Sequence, residues 1–449
     1  MNLFKKLLLF FSIILWNQFA VFSQKNIVKA NDANAPLHAL QPDYPINYSV
    51  PVPSEVKDQV DKVWNYLEKS TPKSLVNEKG DIWSAGMPYN AKLKFAEGDF
   101  RPISYEYGVT YSGMLEWFRI TNEYKYYSFV EDRLDFISDA LPSAIDFDNG
   151  ANNHILRGLV RPKALDDIGA MAMAIIKSKK YGYSKNIDEI IKRAERFILQ
   201  EEHRLPDNTL VRIRPLKNTL WLDDLYMALP ALVQMGNLTG ETRFYEEVNL
   251  QFNAYFNRMF NKDLGIYMHG YLEGAERHPE FHWGRANGWA LLTACEILEY
   301  LPEDSPYRQN IMEKMKMHLN GLLNLQSGSG FWHQLLDKED SYLETSATAI
   351  YTYVIAKGVN KGWLDSRVYS PAAILGWQAV QSKVNEIGQV EGTCVGTGLA
   401  WDPAFYYNRP ISPYAAHAYG PFLLAGSAIY ELLTSQGYHI NDSAIHIKE

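Results

Sequence analysis

Apolar positions in this chain recur at spacings of three and four, the signature of one buried helical face, and long runs of strict alternation are missing. The spacing predicts about twelve helices, at 54–70, 105–121, 124–141, 165–181, 186–200, 220–237, 241–260, 285–301, 305–325, 342–358, 369–386 and 415–433. The connections between them alternate in length. Asn122-Glu123, Thr239-Gly240 and Pro302-Glu303-Asp304 are tight, whereas 71–104, 142–164, 201–219, 261–284, 326–341 and 387–416 are long. A short and a long connection in turn describe helical hairpins, repeated roughly every 60 residues. Six hairpins in a closed ring form an all-α (α/α)6 barrel, a single domain with all six long loops around one mouth. Long loops in a compact domain usually serve function.

Residues 1–23 read differently. Lys5 and Lys6 precede an apolar run from Leu7 to Ala20, and Val21-Phe22-Ser23 lead to a cut before Gln24. The run is short for a membrane span, and no Cys follows it to carry a lipid. The expectation is an exported protein, periplasmic or secreted, with no membrane anchor. A leader at 1–23, an N-terminal extension at 24–53 and the barrel at 54–449 complete the domain plan. Loss of Lys5 and Lys6 takes the net charge from −8 to −10, which argues against nucleic acid as a partner. Cys295 and Cys394 are the two cysteines, so no disulfide framework is implied. The chain is expected to be a monomer or weak homo-oligomer.

Functional residue types gather where each long loop enters the next helix. Tyr105-Glu106-Tyr107-Gly108-Val109, Leu165-Asp166-Asp167-Ile168-Gly169 and Trp221-Leu222-Asp223-Asp224 open three helices. His282-Trp283-Gly284-Arg285-Ala286-Asn287-Gly288-Trp289 opens a fourth, Glu344-Thr345-Ser346-Ala347 a fifth, and His417-Ala418-Tyr419-Gly420 the sixth. Chance would scatter these residues along the helices. Asp223 and Asp224 sit in the most apolar of these contexts, with Asn218 or Thr219 as the expected cap. Apolar surroundings raise a carboxyl pKa and favour the neutral acid that general acid catalysis needs. Acids in a first helical turn also complement the helix dipole without any catalytic role.

Tyr and Trp near these acids present flat apolar faces with a polar edge, which suit a sugar ring. The loops before the Asp pairs are basic: Arg157, Arg161 and Lys163 precede Asp166, and Arg204, Arg212, Arg214 and Lys217 precede Asp223. Arg pairs with carboxylate or sulfate through two hydrogen bonds, so Arg212 and Arg214 are candidate anchors for an anionic sugar. His278-Pro279-Glu280-Phe281-His282 lacks helical ligand spacing, and neither a metal nor another cofactor is expected.

In order and spacing these motifs resemble glycoside hydrolase family 105, the unsaturated rhamnogalacturonyl and glucuronyl hydrolases, and more distantly family 88. Met268-His269-Gly270 and Gly330-Phe331-Trp332-His333-Gln334 add to the likeness, which runs from about Tyr105 to Leu433. The resemblance implies an (α/α)6 barrel acting without metal on a 4,5-unsaturated uronic acid at the non-reducing end of an oligosaccharide. It implies Asp223 as general acid and base, with Asp166 or Asp167 as partner; the spacing to Gly169 favours Asp167. His269, Trp283, Arg285 and Trp332 are the implied sugar contacts, and Tyr107, His282 and Trp289 are further candidates from their places at the helix starts. Gly284, between Trp283 and Arg285, departs from the family's usual residue. The implied partner is an anionic unsaturated oligosaccharide, linked to rhamnose and derived from rhamnogalacturonan or sulfated ulvan. A polysaccharide lyase or ordinary uronidase on the same toroid is the alternative enzyme. An exported glycan-binding protein is the alternative of another class, and such a binder needs no buried acid pair.

Overall fold

The computed structural model describes residues 33–34, 48–185, 187–441 and 444–448. The leader expected at 1–23 and most of the extension at 24–53 lie outside these residues. Residues 47–440 with 445–449 form one compact unit, which contains all the helices described below. A second unit, residues 1–46 with 441–444, lies almost wholly outside the described residues.

Among the described residues, twelve helices of nine residues or more build the fold. They are α1 (Pro53–Ser70), α2 (Tyr105–Thr121), α3 (Tyr124–Phe147), α4 (Gly169–Lys179), α5 (Asp188–Arg196), α6 (Asp224–Thr239), α7 (Thr242–Met259), α8 (Gly284–Tyr300), α9 (Arg308–Leu323), α10 (Thr345–Asn360), α11 (Ser366–Gln381) and α12 (Tyr419–Ser435). The even-numbered helices form the inner ring. Each packs on the next, from α2 through α4, α6, α8 and α10 to α12, and α12 returns to α2. The odd-numbered helices pack outside, α3 on α2, α5 on α4, α7 on α6, α9 on α8 and α11 on α10. The sixth outer helix is α1, which packs on α12. The last hairpin is therefore made from the two ends of the barrel sequence. The architecture is an (α/α)6 barrel.

Side-chain pattern explains the two rings. Inner helices are buried almost all round; every residue of α4 from Gly169 to Ser178 is buried. Outer helices bury one stripe, as α7 does with Phe244, Tyr245, Val248, Gln251, Phe252, Tyr255, Phe256 and Met259. Close packing of inner helices needs glycine at two crossings. A Cβ on Gly169 would fall 1.6 Å from the Met227 carbonyl oxygen, and one on Gly108 would fall 2.5 Å from the Ala170 backbone. Both glycines lie in the motifs that open their helices, beside the functional residues.

The helix starts at the mouth differ from the sequence expectation. Thr219–Trp221 is a strand paired antiparallel with Gly270–Leu272, and α6 begins only at Asp224. Asn218 has φ +60, a left-handed turn residue rather than a helix cap. Leu165–Asp167 is a short 3₁₀ turn, separated from α4 by Ile168 at φ −140. Leu343–Glu344 is a strand before α10, and the Glu344 carboxylate caps that helix by accepting from the Ala347 N–H. Strand pairing pulls Thr219–Trp221 and Leu343–Glu344 out of the helices and onto the rim.

Candidate active site

The strand pairing creates the central contact. Trp221 lies opposite Gly270, and the Leu222 N–H donates to the His269 carbonyl at 3.0 Å. This register sets the next residue, Asp223, beside the His269 ring. His269 Nε2 lies 3.2 Å from Asp223 Oδ2, and His269 Nδ1 lies 2.8 Å from the Tyr406 hydroxyl. The carboxylate can only accept, so Nε2 carries the hydrogen. In a neutral imidazole Nδ1 then accepts from Tyr406. The Tyr406 oxygen in turn accepts from the Ala400 N–H at 3.5 Å. Trp283, with its ring centroid 4.7 Å from that of His269, and Trp221 at 6.1 Å wall in the imidazole.

A second cluster adjoins the first. Arg212 donates to both oxygens of Asp224, through Nε at 2.9 Å and Nη2 at 2.6 Å, and through Nη2 to Asp166 at 3.1 Å. Its guanidinium lies 4.2 Å from the centroid of Trp221. One cation thus serves two carboxylates. Asp224 is 1% exposed at its side chain, and burial pushes its pKa up to about 6 despite Arg212. Asp166 is also pushed up, first by desolvation and then by the charges of Asp223 and Asp167, against the pull of Arg212.

Asp223 goes the other way. Burial pushes it up, but the His269 hydrogen bond and the charges of Arg212 and Arg285 outweigh burial and hold it below the usual carboxylate range. The expectation of a neutral Asp223 is corrected on this point. The apolar residues around it in sequence do not set its electrostatics; donors from other loops do.

The Asp pair of the 3₁₀ turn splits. Both line the cleft beside this cluster, and Asp166 joins Arg212. Asp167 accepts from Arg157 Nη1 at 2.9 Å and from the Lys163 N–H at 2.8 Å, which anchors the loop. Asp166 stands in the electrostatic field of Asp223. A cleft of about 460 Å³ lies beside this cluster, lined by Leu93, Arg101, Tyr105, Glu106, Arg157 and Asp166 among others.

Several expected sugar contacts are engaged by the protein itself. Tyr107 is 1% exposed and bonds Thr71 Oγ1 at 2.5 Å, inside the packing between rings. Tyr105 takes the position at the mouth, its hydroxyl 2.6 Å from His417 Nε2. Trp332 is fully buried; its indole N–H donates to the Leu322 carbonyl at 2.7 Å and its ring meets Tyr351 edge-on. Trp289 is buried and stacks on Tyr226 at 5.1 Å, in the barrel wall. The Trp283 indole donates to Gln334 Oε1 at 3.1 Å. Arg285 donates to the Cys394 and Val395 carbonyls, both at 2.7 Å, and so pins the 387–416 loop at the mouth. His282 faces Asp337 at 3.3 Å. Arg214 is exposed.

Four arginines of the basic loops prove to be internal counter-charges. Arg157 pairs with Asp167, Arg161 with Asp148, Arg204 with Glu247, and Arg212 with Asp224 and Asp166. Arg212 is therefore spent on protein carboxylates and is not an open anchor for substrate. Tyr105, Glu106 and His417 opened helices in the motifs already singled out, and their position was the available signal. Tyr406 lies in a short helix, Pro403–Tyr407, within a long loop, and nothing in the local pattern marks it.

Cys295 and Cys394 are both free and buried. Among the described residues, no group of three or more His, Cys, Asp or Glu is placed to hold a metal ion, and no helix is long and apolar enough to cross a membrane.

Comparison with known proteins matches residues 61–433 to the family model for Glycosyl Hydrolase Family 88. An unsaturated 3S-rhamnoglycuronyl hydrolase of Alteromonas sp. (strain LOR) is 32% identical over 175 residues, 38% of this chain and 42% of that protein. The unsaturated rhamnogalacturonyl hydrolase YesR of Bacillus subtilis (strain 168) is 29% identical over 192 residues, 42% of this chain and 54% of that protein. The matched stretches thus span about half the length of these curated relatives. A crystal structure of a possible member of the GH105 family from Klebsiella pneumoniae has the same fold, with a TM-score of 0.66 and 22% identity over 91% of this chain and 99% of that one. With the family model spanning nearly the whole barrel, the chain belongs to glycosyl hydrolase family 88.

Proposed function

We propose that this protein removes a 4,5-unsaturated uronic acid from the non-reducing end of lyase-generated oligosaccharides, by hydrating the C4=C5 bond, and that it does so after export. The observation that carries the proposal is the pairing of Asp223 with His269 beside the Asp166–Arg212–Asp224 cluster, at the mouth of the barrel. A rhamnose-linked substrate is supported by the names of both curated relatives, one of which acts on a 3S-rhamnoglycuronyl compound.

The acids divide the work by their electrostatics. The substrate is an enol ether conjugated to a carboxylate. Asp223 is anionic without substrate, and an incoming carboxylate raises its proton affinity. Asp166, already held high, shares its field and supplies a proton to the pair. Asp223 then protonates C4. The cation that develops at C5 is stabilised by the ring oxygen and by the carboxylates nearby. Water adds at C5 and returns a proton to Asp223, so the acid is restored. The hemiketal formed opens and expels the aglycone. His269 keeps its Nε2–H on Asp223 and fixes which oxygen faces the sugar.

Turnover of lyase digests is followed by loss of ultraviolet absorbance from the conjugated double bond. In heavy water deuterium is expected at C4 of the released sugar, and labelled water is expected to place its oxygen at C5. Label at C1 with no deuterium at C4 would overturn hydration in favour of ordinary glycosidic cleavage.

A further inference from the structure

A second cavity, of about 520 Å³, opens between the loops at 142–164 and 201–219. Lys163 and Arg214 line it from opposite loops, with Ile213 and Pro215 forming an apolar wall. Ile213 is 52% exposed. Lys163 and Arg214 are exposed, and among the described residues neither pairs with a carboxylate, in contrast to Arg157, Arg161, Arg204 and Arg212 of the same two loops. The acids lining the cavity are muted. Asp224 is neutralised by Arg212, and burial followed by the charge of Asp224 pushes Glu202 up to about 7, against its bond from the His203 N–H and the charge of Arg212. Arg212 lies between this cavity and the cleft lined by Asp166. Its Nη2 donates both to Asp166, which lines the cleft, and to Asp224, which lines the cavity.

We propose that this cavity is a subsite for an anionic substituent, a sulfate ester or a carboxylate, carried by a sugar beyond the unsaturated one, with Lys163 and Arg214 as its anchors. The inference rests on the function proposed above. An ammonium and a guanidinium on facing loops offer charge-assisted hydrogen bonds to an oxyanion. The apolar wall of Ile213 and Pro215 offers a surface for the C–H face of the sugar that carries it. A neutral sugar would leave two cations unused in a half-enclosed cavity. The subsite therefore sets substrate preference without entering the chemistry.

The test compares the full-length protein with the double variant Lys163→Ala/Arg214→Ala. Both side chains are exposed, so the fold is retained. Substrates are unsaturated disaccharides ending in rhamnose with and without a sulfate, and an unsaturated trisaccharide with a second uronate. The ratio of kcat/KM on charged to uncharged aglycone is expected to fall about tenfold in the variant, chiefly through KM, as loss of about one charge-assisted hydrogen bond predicts. Whether the sulfated or the uronate substrate loses more identifies the anion. An unchanged ratio on both overturns the subsite while leaving the proposed function intact. If the wild type bleaches none of the substrates, the proposed function fails instead. The cavity is then judged by calorimetric titration with inorganic sulfate: binding to wild type that the double variant loses supports the anion site, and equal binding or none in both overturns it.

Discussion

At the floor of the barrel, the ends of the inner helices carry buried charges that reach across the lumen. Lys177 of α4 bonds Glu296 of α8 at 2.6 Å, past α6, and Lys357 of α10 lies 3.6 Å from Glu116 of α2, past α12. Lys357 also meets Glu299 at 3.1 Å, and Arg119 meets both Glu116 and Glu431. At the mouth, the acids that precede α4 and open α6 are short of partners. Arg212 serves both Asp166 and Asp224, and Asp223 leans on an imidazole. The consequence is opposite proton affinity. Burial pushes Glu116 up, yet Lys357, Arg119 and Lys177 outweigh it and bring its pKa down to about 2. At the mouth Asp224 sits at about 6 and Asp166 is raised. Against burial, Glu116 and Glu299 each face two cations that hold their pKa values down. Mouth carboxyls that share one cation keep protons available at working pH, which acid–base chemistry requires.

Exchanging one group at each end separates the roles. Asp223→Asn keeps the shape of the mouth and removes the proton carrier. Its kcat should fall by about 10²–10⁴-fold or more, with the helical circular dichroism of the wild type. A near-normal rate would move the acid role to Asp166. At the floor, Lys357→Met leaves Glu116 and Glu299 buried beside fewer cations, and should cost about 3–5 kcal/mol in urea unfolding. Its rate per folded molecule should stay close to wild type. A variant of normal stability but lowered kcat would erase the distinction between the two ends.

The pH dependence of stability should have opposite signs at the two ends. Asp224 binds its proton more tightly folded, about 6, than unfolded, about 3.9. Its contribution is fully present below about pH 3.9 and is lost as pH rises through 6. Asp224→Asn should therefore gain on wild type between pH 4 and 6, apart from a constant offset. Glu116, at about 2 folded against about 4.3 unfolded, contributes above about pH 4.3 and loses that contribution as pH falls through 2. Glu116→Gln should therefore lose ground to wild type as pH rises from 2 to 4.3. Unfolding free energies measured from pH 2.5 to 7 check both, and parallel slopes would refute the contrast. The smallest effect belongs to Tyr107→Phe. It removes the bond to Thr71, worth about 1 kcal/mol, and should leave KM unaltered; a raised KM would return Tyr107 to the substrate.

Much was legible from local pattern. The helical repeat, the alternation of short and long connections and the gathering of Asp, Trp, Tyr and His where loops enter helices all follow from spacing along the chain. These express which face each segment must bury and where its ends must lie, and local chemistry suffices for that. Tyr105 and Tyr107 show where it stops sufficing. Two residues apart on a helix means about 200° around it, so one reaches the mouth and the other the packing between rings, and residue type does not choose between them.

Tertiary structure decided the rest. It closed the ring by packing α1 on α12, from opposite ends of the barrel sequence. It set Asp166 against Arg212 and Asp167 against Arg157. It reversed the expected proton state of Asp223 by setting His269, 46 positions away, against the carboxylate. It spent Arg212 on Asp224 and Asp166 rather than on a ligand. A carboxyl's proton affinity is the sum of its desolvation and of the charges and donors within a few ångströms. Sequence neighbours hint at the first term, and the folding together of distant segments supplied the others.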